Sequence, residues 1–234
     1  MAGIVYLCAV KAFQVFQVRS NMIFILNNEP SIANHFIAEL RDVTVQNDSM
    51  RFRRNLERLG EILAYRISTQ LNYETKTVQT PLAMSEEQVL ADYPVLATVL
   101  RAGLPFHQGF MNYFDQASSA FVAAYRVEAT SEISVHVDYL AAPSLQDRVL
   151  LLVDPMLATG KSLALTYKAM LRFGTPRQVH IAAAIASPEG VAHVQAELPE
   201  AKIWLGALDK ELNEHAYIVP GLGDAGDLAF GAKI

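Results

Sequence analysis

The sequence predicts an α/β domain built on a mainly parallel sheet flanked by helices. Two observations carry that expectation. From Pro94 onward, short apolar runs rich in β-branched residues recur, each followed by a loop and usually by a segment of helical period. Continuous apolar runs of this length suit strands covered on both faces. Glycine and proline punctuate the alternation, with no internal repeat or low-complexity tract. The 234 residues suffice for one domain with an adequate core, or for a domain with a small lid.

Taken in order, a short strand is expected near Ile23–Leu26 and a helix over Ser31–Leu40. Asp48 or Ser49 can cap a second helix, in which Phe52, Leu56, Leu59 and Leu63 recur at four- and three-residue steps with Arg51, Arg54, Glu57 and Arg58 on other faces. That basic run reads as a solvated face. Val95–Leu100, Ala120–Tyr125, Val149–Val153, Val179–Ile185 and Ile203–Leu205 read as strands. Lys161–Arg172, ended by Gly174, and Glu189–Leu198 read as crossover helices. The stretch from Val149 to Ile185 is then a right-handed βαβ unit, whose ligands gather beyond the carboxyl ends of the strands. Arg101, Arg126 and Asp154 all fall there. Residues 127–147 form a long connection suited to a lid.

The bulk properties narrow the function. A formal charge of −5 with 18% charged residues argues against nucleic-acid binding as the main work. The single cysteine, Cys8, leaves no internal disulfide or cysteine zinc site and suits a reducing, cytoplasmic compartment. No basic residue precedes the apolar run Ile4–Val10, which is also too short to span a bilayer, so no membrane role is expected. Residues 1–21 read as an N-terminal extension of unknown role, with Met22 a candidate natural start.

The segment "VLLLVDPMLATGKS", residues 149–162, ends like a nucleotide-triphosphate P-loop, G-x-x-x-x-G-K-[ST], but lacks the first glycine. Pro155 stands early in the loop, with φ fixed near −65° and no N–H to offer. Such a loop is too stiff and too short of donors for a triphosphate, yet adequate for one phosphate at a helix N-terminus, helped by the Thr159 and Ser162 hydroxyls. Asp154, at the strand end, then sits over whatever the phosphate is attached to. Alone, it reads equally well as a turn or capping aspartate.

These residues resemble the type I phosphoribosyltransferases, and "DPMLATG" resembles the uracil phosphoribosyltransferase family. "VLRAGLPFHQGF" (99–110), "AAYR" (123–126) and "LNEHAYIVPGLGDAGDLAFG" (212–231) resemble it in order and spacing, so the likeness runs from about Met22 to the C-terminus. The resemblance implies transfer of ribose 5-phosphate from 5-phosphoribosyl 1-pyrophosphate (PRPP) to uracil, giving UMP and pyrophosphate, with Mg²⁺ accompanying PRPP. It implies one phosphoribosyltransferase domain over 22–234, a flexible lid loop at about 127–147 and a base-binding hood at about 208–234.

Carried over by position, the resemblance assigns PRPP to Arg101, Arg126, Asp154, Pro155, Met156, Leu157, Ala158, Thr159, Gly160, Lys161, Ser162 and Asp224. Asp154 and Arg126 are the catalytic pair in that assignment. Ile218, Gly223, Asp224 and Ala225 would read uracil, and Asp224 would face the metal indirectly, through PRPP or water. A homo-oligomer and a GTP activator are also implied. Lys161 departs from the usual small residue there, and no lysine lies between Lys76 and Lys161, so the lid lacks one the family carries. His107 and His136 read as structural, and His215 is given no chemistry. A phosphoribosyltransferase-fold RNA-binding regulator of pyrimidine genes is the alternative, opposed by the acidic charge. A P-loop NTPase is opposed by Pro155.

Overall fold

A computed structural model describes residues 23–129 and 132–233. The expected extension over 1–21, with Cys8, lies outside the described residues. In chain order the elements are β1 (Ile23–Ile25), α1 (Ile32–Arg41), α2 (Ser49–Ser68), β2 (Tyr73–Gln79), β3 (Met84–Leu90), β4 (Val95–Leu100), α3 (Gly103–Met111), β5 (Ser118–Ala129) and β6 (Glu132–Ala141). They continue with β7 (Val149–Val153), β8 (Met156–Leu157), α4 (Lys161–Met170), β9 (Gln178–Ala186), α5 (Pro188–Glu197), β10 (Lys202–Leu208), β11 (Glu211–Leu212), β12 (Ile218–Val219) and α6 (Ala225–Phe230).

The central sheet runs β1-β10-β9-β7-β4-β5-β6, with β8 paired to β9. Every pair is parallel except β5 with β6. Alternation within β7 shows why its run is unbroken. Val149, Leu151 and Val153 join a core with Phe52, Leu56 and Phe106 of α2 and α3, while Leu150 and Leu152 join another with Leu163 of α4 and Val191 of α5. Both faces are covered, so every residue of the strand is apolar and buried.

Local chemistry sets the helix ends. Of the two capping candidates before α2, Asp48 does the work: its Oδ1 accepts from the N–H groups of Met50 (3.1 Å) and Arg51 (3.0 Å). Ser187 caps α5, accepting from Gly190 N–H at 2.9 Å, and Pro188 follows at the first helical position. Helix α4 ends at Met170 and passes into a 3₁₀ turn over Leu171–Phe173 before Gly174.

The long connection expected over 127–147 is largely β structure. Strands β5 and β6 pair antiparallel from Phe121 opposite Ala141 to Ala129 opposite Glu132, with a register shift between Ala123 and Ala124. "EISVHVDYL" alternates apolar and polar residues, the period of a strand with two unlike faces, and that period makes strand of most of the expected connection. Pairing of β5 with β4 ends at Ala123 opposite Leu100, so the later residues of β5 and their partners in β6 form a two-stranded arm.

Candidate active site

Three strand ends meet at one edge. Thr98 of β4 lies opposite Val153 of β7, and Leu100 opposite Ala123 of β5, all in parallel. Arg101, Asp154 and Arg126 therefore lie beyond the same edge of the sheet. The side chain of Arg126, like that of His136, lies outside the described residues; its backbone sits in β5 opposite Val135.

The loop after Asp154 is fastened from behind. Asp154 N–H extends the β7–β9 ladder to Ala182 O at 3.0 Å, and Asp154 Oδ1 accepts from Met156 N–H at 3.2 Å, turning the chain at Pro155. Asp154 thus also performs the turn role its position allows. Pro155 O accepts from Ile185 N–H and Leu157 O from Ser187 N–H, each at 3.0 Å. The Ser187 hydroxyl, wholly buried, donates to Ala158 O at 2.6 Å. Three carbonyls of the loop are thereby committed to β9 and the start of α5.

Gly160, at φ +72°, opens α4 and has no side chain to cap it; Thr159 Oγ1 accepts from Lys161 N–H at a long 3.4 Å, and the other first-turn amides carry no side-chain cap. First-turn amides lack an intrahelical acceptor, so such an N-terminus is suited to an anion. Loop and first turn line an open pocket of about 160 Å³ formed by Asp154, Met156, Leu157, Ala158, Thr159, Gly160, Ser162 and Leu163. Pro155 is buried behind this lining and Lys161 is exposed beside it. The register and the loop bring most of the expected phosphate residues together.

Arg101 and the C-terminal segment around α6 form an adjoining cluster. Asp224 caps α6, its Oδ1 accepting from Gly226 N–H (2.8 Å) and Asp227 N–H (3.0 Å). Asp227 Oδ1 accepts from Arg101 Nη2 at 3.0 Å, so the expected phosphate arginine is paired to this segment. Ile218 in β12 and Ala225 in α6 are buried, at 4% and 1% exposure, and Gly223 between them has φ +89°. From behind, Arg53 of α2 donates to Ala229 O at 2.6 Å. Asp227 escaped the sequence reading although it is the second aspartate of G-D-A-G-D, and Asp209, at the end of β10 much as Asp154 ends β7, escaped it too.

Two histidines, His107 and His180, are buried. Burial pushes His107 down to about 4. Burial, then the charge of Lys202, pushes His180 down to about 3. His180 Nδ1 accepts from Trp204 Nε1 at 3.0 Å, which leaves the proton on Nε2.

Among the described residues, no group of three or more His, Cys, Asp or Glu converges on a metal position, and no helix is long and apolar enough to cross a membrane. Asp224 Oδ2 makes no hydrogen bond among the described residues. One such oxygen fits a Mg²⁺ that arrives on a substrate phosphate and keeps most of its ligands as phosphate oxygens and water.

A strand-end aspartate before a loop that leads into a helix N-terminus, at the carboxyl edge of a parallel sheet, is the arrangement of a ligand-binding α/β protein. Comparison with known proteins makes the assignment particular: the chain belongs to the uracil phosphoribosyltransferase family, whose model matches residues 27–232. The uracil phosphoribosyltransferase of Porphyromonas gingivalis is 52% identical over 211 residues, covering 89% of this chain and 98% of that protein. That of Thermococcus gammatolerans is 36% identical over 201 residues, covering 85% and 88%. Among solved structures, the AQ2163 protein from Aquifex aeolicus superposes with a TM-score of 0.81 at 30% identity, over 91% of this chain and 100% of that one.

Proposed function

We propose that this enzyme converts uracil and PRPP to UMP and pyrophosphate in pyrimidine salvage. The observation that carries the reading is the loop after Asp154, with three carbonyls secured behind it and a helix N-terminus opened by Gly160 at a polar pocket, in a chain of this family.

The loop from Ala158 to Ser162 holds the 5-phosphate of PRPP, and the Asp154 carboxylate accepts hydrogen bonds from the ribose hydroxyls. As the bond from C1 to pyrophosphate breaks and that to uracil N1 forms, C1 becomes cation-like, and the fixed charge of Asp154 favours that state. Arg101 and Arg126 supply planar forks of donors to pyrophosphate. Mg²⁺, when bound, would neutralise charge on the leaving pyrophosphate, with Asp224 facing it indirectly, through PRPP or water. Uracil presents a ring N–H between two carbonyls, a pattern the backbone of Gly223, Asp224 and Ala225 can match beside Ile218.

The β5–β6 arm rises from the edge that carries Asp154, which supports a lid role over the reacting centre. A homo-oligomer is supported by the β2–β3 hairpin, where Leu82 is 96% and Met84 61% exposed; light scattering tests it. A cytoplasmic location fits the lone cysteine. Activation by GTP is implied by family resemblance and is tested by adding GTP to the assay below.

The decisive assay offers purified protein PRPP, Mg²⁺ and one base at a time. Uracil is expected to react. Cytosine reverses the donor and acceptor pattern at ring positions 3 and 4, leaving buried groups unpaired, and should fail. Orotate should fail because its carboxylate approaches Asp224. Preference for orotate or hypoxanthine over uracil refutes the base-site assignment.

A further inference from the structure

Behind the base turn lies a polar cluster to which the proposed reaction gives no part. Asp209 follows β10 and is 8% exposed. Its Oδ2 accepts from Arg41 Nη1 at 2.8 Å and from Gly221 N–H at 2.9 Å, while Arg41 Nη2 donates to Oδ1. The same Nη1 also donates to Gly221 O at 3.1 Å. One ion pair therefore holds both the N–H and the C=O of a single glycine. Gln46, its amide turned so that nitrogen faces the turn, donates to Leu222 O at 2.8 Å and to Leu40 O at 3.1 Å.

The grip falls on a backbone that cannot be built otherwise. Gly221 has φ +63°, and a Cβ there would lie 2.1 Å from Ile218 O. A buried ion pair is weak evidence for stability, because desolvation can cancel its Coulomb gain. It is stronger evidence for geometry. A bidentate guanidinium fixes direction as well as distance, and here that direction is transmitted to Gly221 and Leu222, immediately before Gly223.

We propose that Arg41, Gln46 and Asp209 are positioning residues for base recognition: they hold Gly221–Leu222 so that the Gly223–Ala225 backbone meets the base in register. This rests on the reading that Gly223–Ala225 take uracil. Arg41 and Gln46, on α1 and in the connection after it, thereby govern the specificity of a turn near the other end of the chain.

Arg41→Lys keeps the charge but loses the fork, and Gln46→Leu removes the donor to Leu222 O with little change in volume. Each is expected to raise KM for uracil by about tenfold, since small misplacements of a binding group are costly. KM for PRPP is expected to stay within about twofold, and discrimination against cytosine to narrow. A lower melting temperature with unchanged kinetic constants overturns the proposal, as does an equal rise in both KM values. Should Arg41→Lys fail to fold, Gln46→Leu decides alone. Gly223→Val in the same assay separates the two levels: if it leaves KM for uracil unchanged, the base-site reading has failed and takes the inference with it. If Gly223→Val raises that KM and neither frame variant does, the positioning role alone has failed.

Discussion

Arg101 Nη2 lies 3.0 Å from Asp227 Oδ1, so a residue that follows β4 is joined to the hood helix α6. Arg101 Nη1 also donates to Gly231 O at 3.5 Å. The two side chains are 40% and 37% exposed. A pair this open is worth less than about 1 kcal/mol, which the charge of a pyrophosphate exceeds. Asp227→Asn should therefore change the apparent affinity for PRPP by less than about fivefold. Arg101→Ala should weaken PRPP and pyrophosphate at least tenfold while leaving uracil nearly unaffected, on the order of a lost charged hydrogen bond. Titration with each ligand decides, and equal loss for all three would indicate a general folding defect.

Asp154→Asn preserves an oxygen to accept from Met156 N–H, so the turn at Pro155 should survive. What it removes is the charge. We expect kcat/KM to fall on the order of 10²-fold, about 2.7 kcal/mol, with an unchanged melting temperature. A near-normal rate would leave Asp154 with its turn role alone.

Gly190 packs against the phosphate loop so closely that a Cβ there would lie 2.1 Å from Ala158 O. The nearest atoms are all backbone, of Leu157 and Ala158, so no flexible side chain is there to yield. Gly190→Ala should displace the loop, raising KM for PRPP severalfold and costing about 1–3 kcal/mol of stability as overpacking does. An unchanged KM with the stability loss present would show that the loop tolerates movement.

Acid should destabilise the fold through two histidines. Folded His107 and His180 titrate at about 4 and about 3, against an ordinary value of 6.5. Below about pH 6.5 the unfolded chain takes up protons that the folded chain refuses, so stability falls with pH until the folded values are reached. The slope approaches about 1.4 kcal/mol per pH unit for each histidine. Urea midpoints at about pH 7 and about pH 5 measure it. His107→Leu should lose less on acidification than the parent protein, and an equal loss would remove His107 from the account.

The apolar strands of the sheet were legible because burial on both faces leaves a run that little else explains, as in β7. Helix α2 was legible from its three- and four-residue spacing and Asp48. Helix α3 was not: Gly103, Pro105 and Gly109 lower its local propensity. Its stability comes from a contact the sequence does not display, an approach to α2 so close that a Cβ on Gly109 would lie 2.1 Å from Glu57 O. The phosphate loop was readable as contiguous letters, whereas the frame of Arg41 and Asp209 spans 168 positions and carries no local signature. The β5–β6 arm was readable in principle from the alternation over 132–140.

Arg41 and Arg53 each find their partners only late in synthesis. Arg41 precedes Asp209 by 168 residues and Arg53 precedes Ala229 by 176. At a ribosomal pace of about 5–20 residues per second, both guanidinium groups wait roughly ten to thirty seconds. During that interval the nascent chain can bury α1 and α2 only with those charges unmatched or still in water. The N-terminal helices should therefore stay susceptible to proteases until the C-terminal segment that carries both partners emerges from the ribosome.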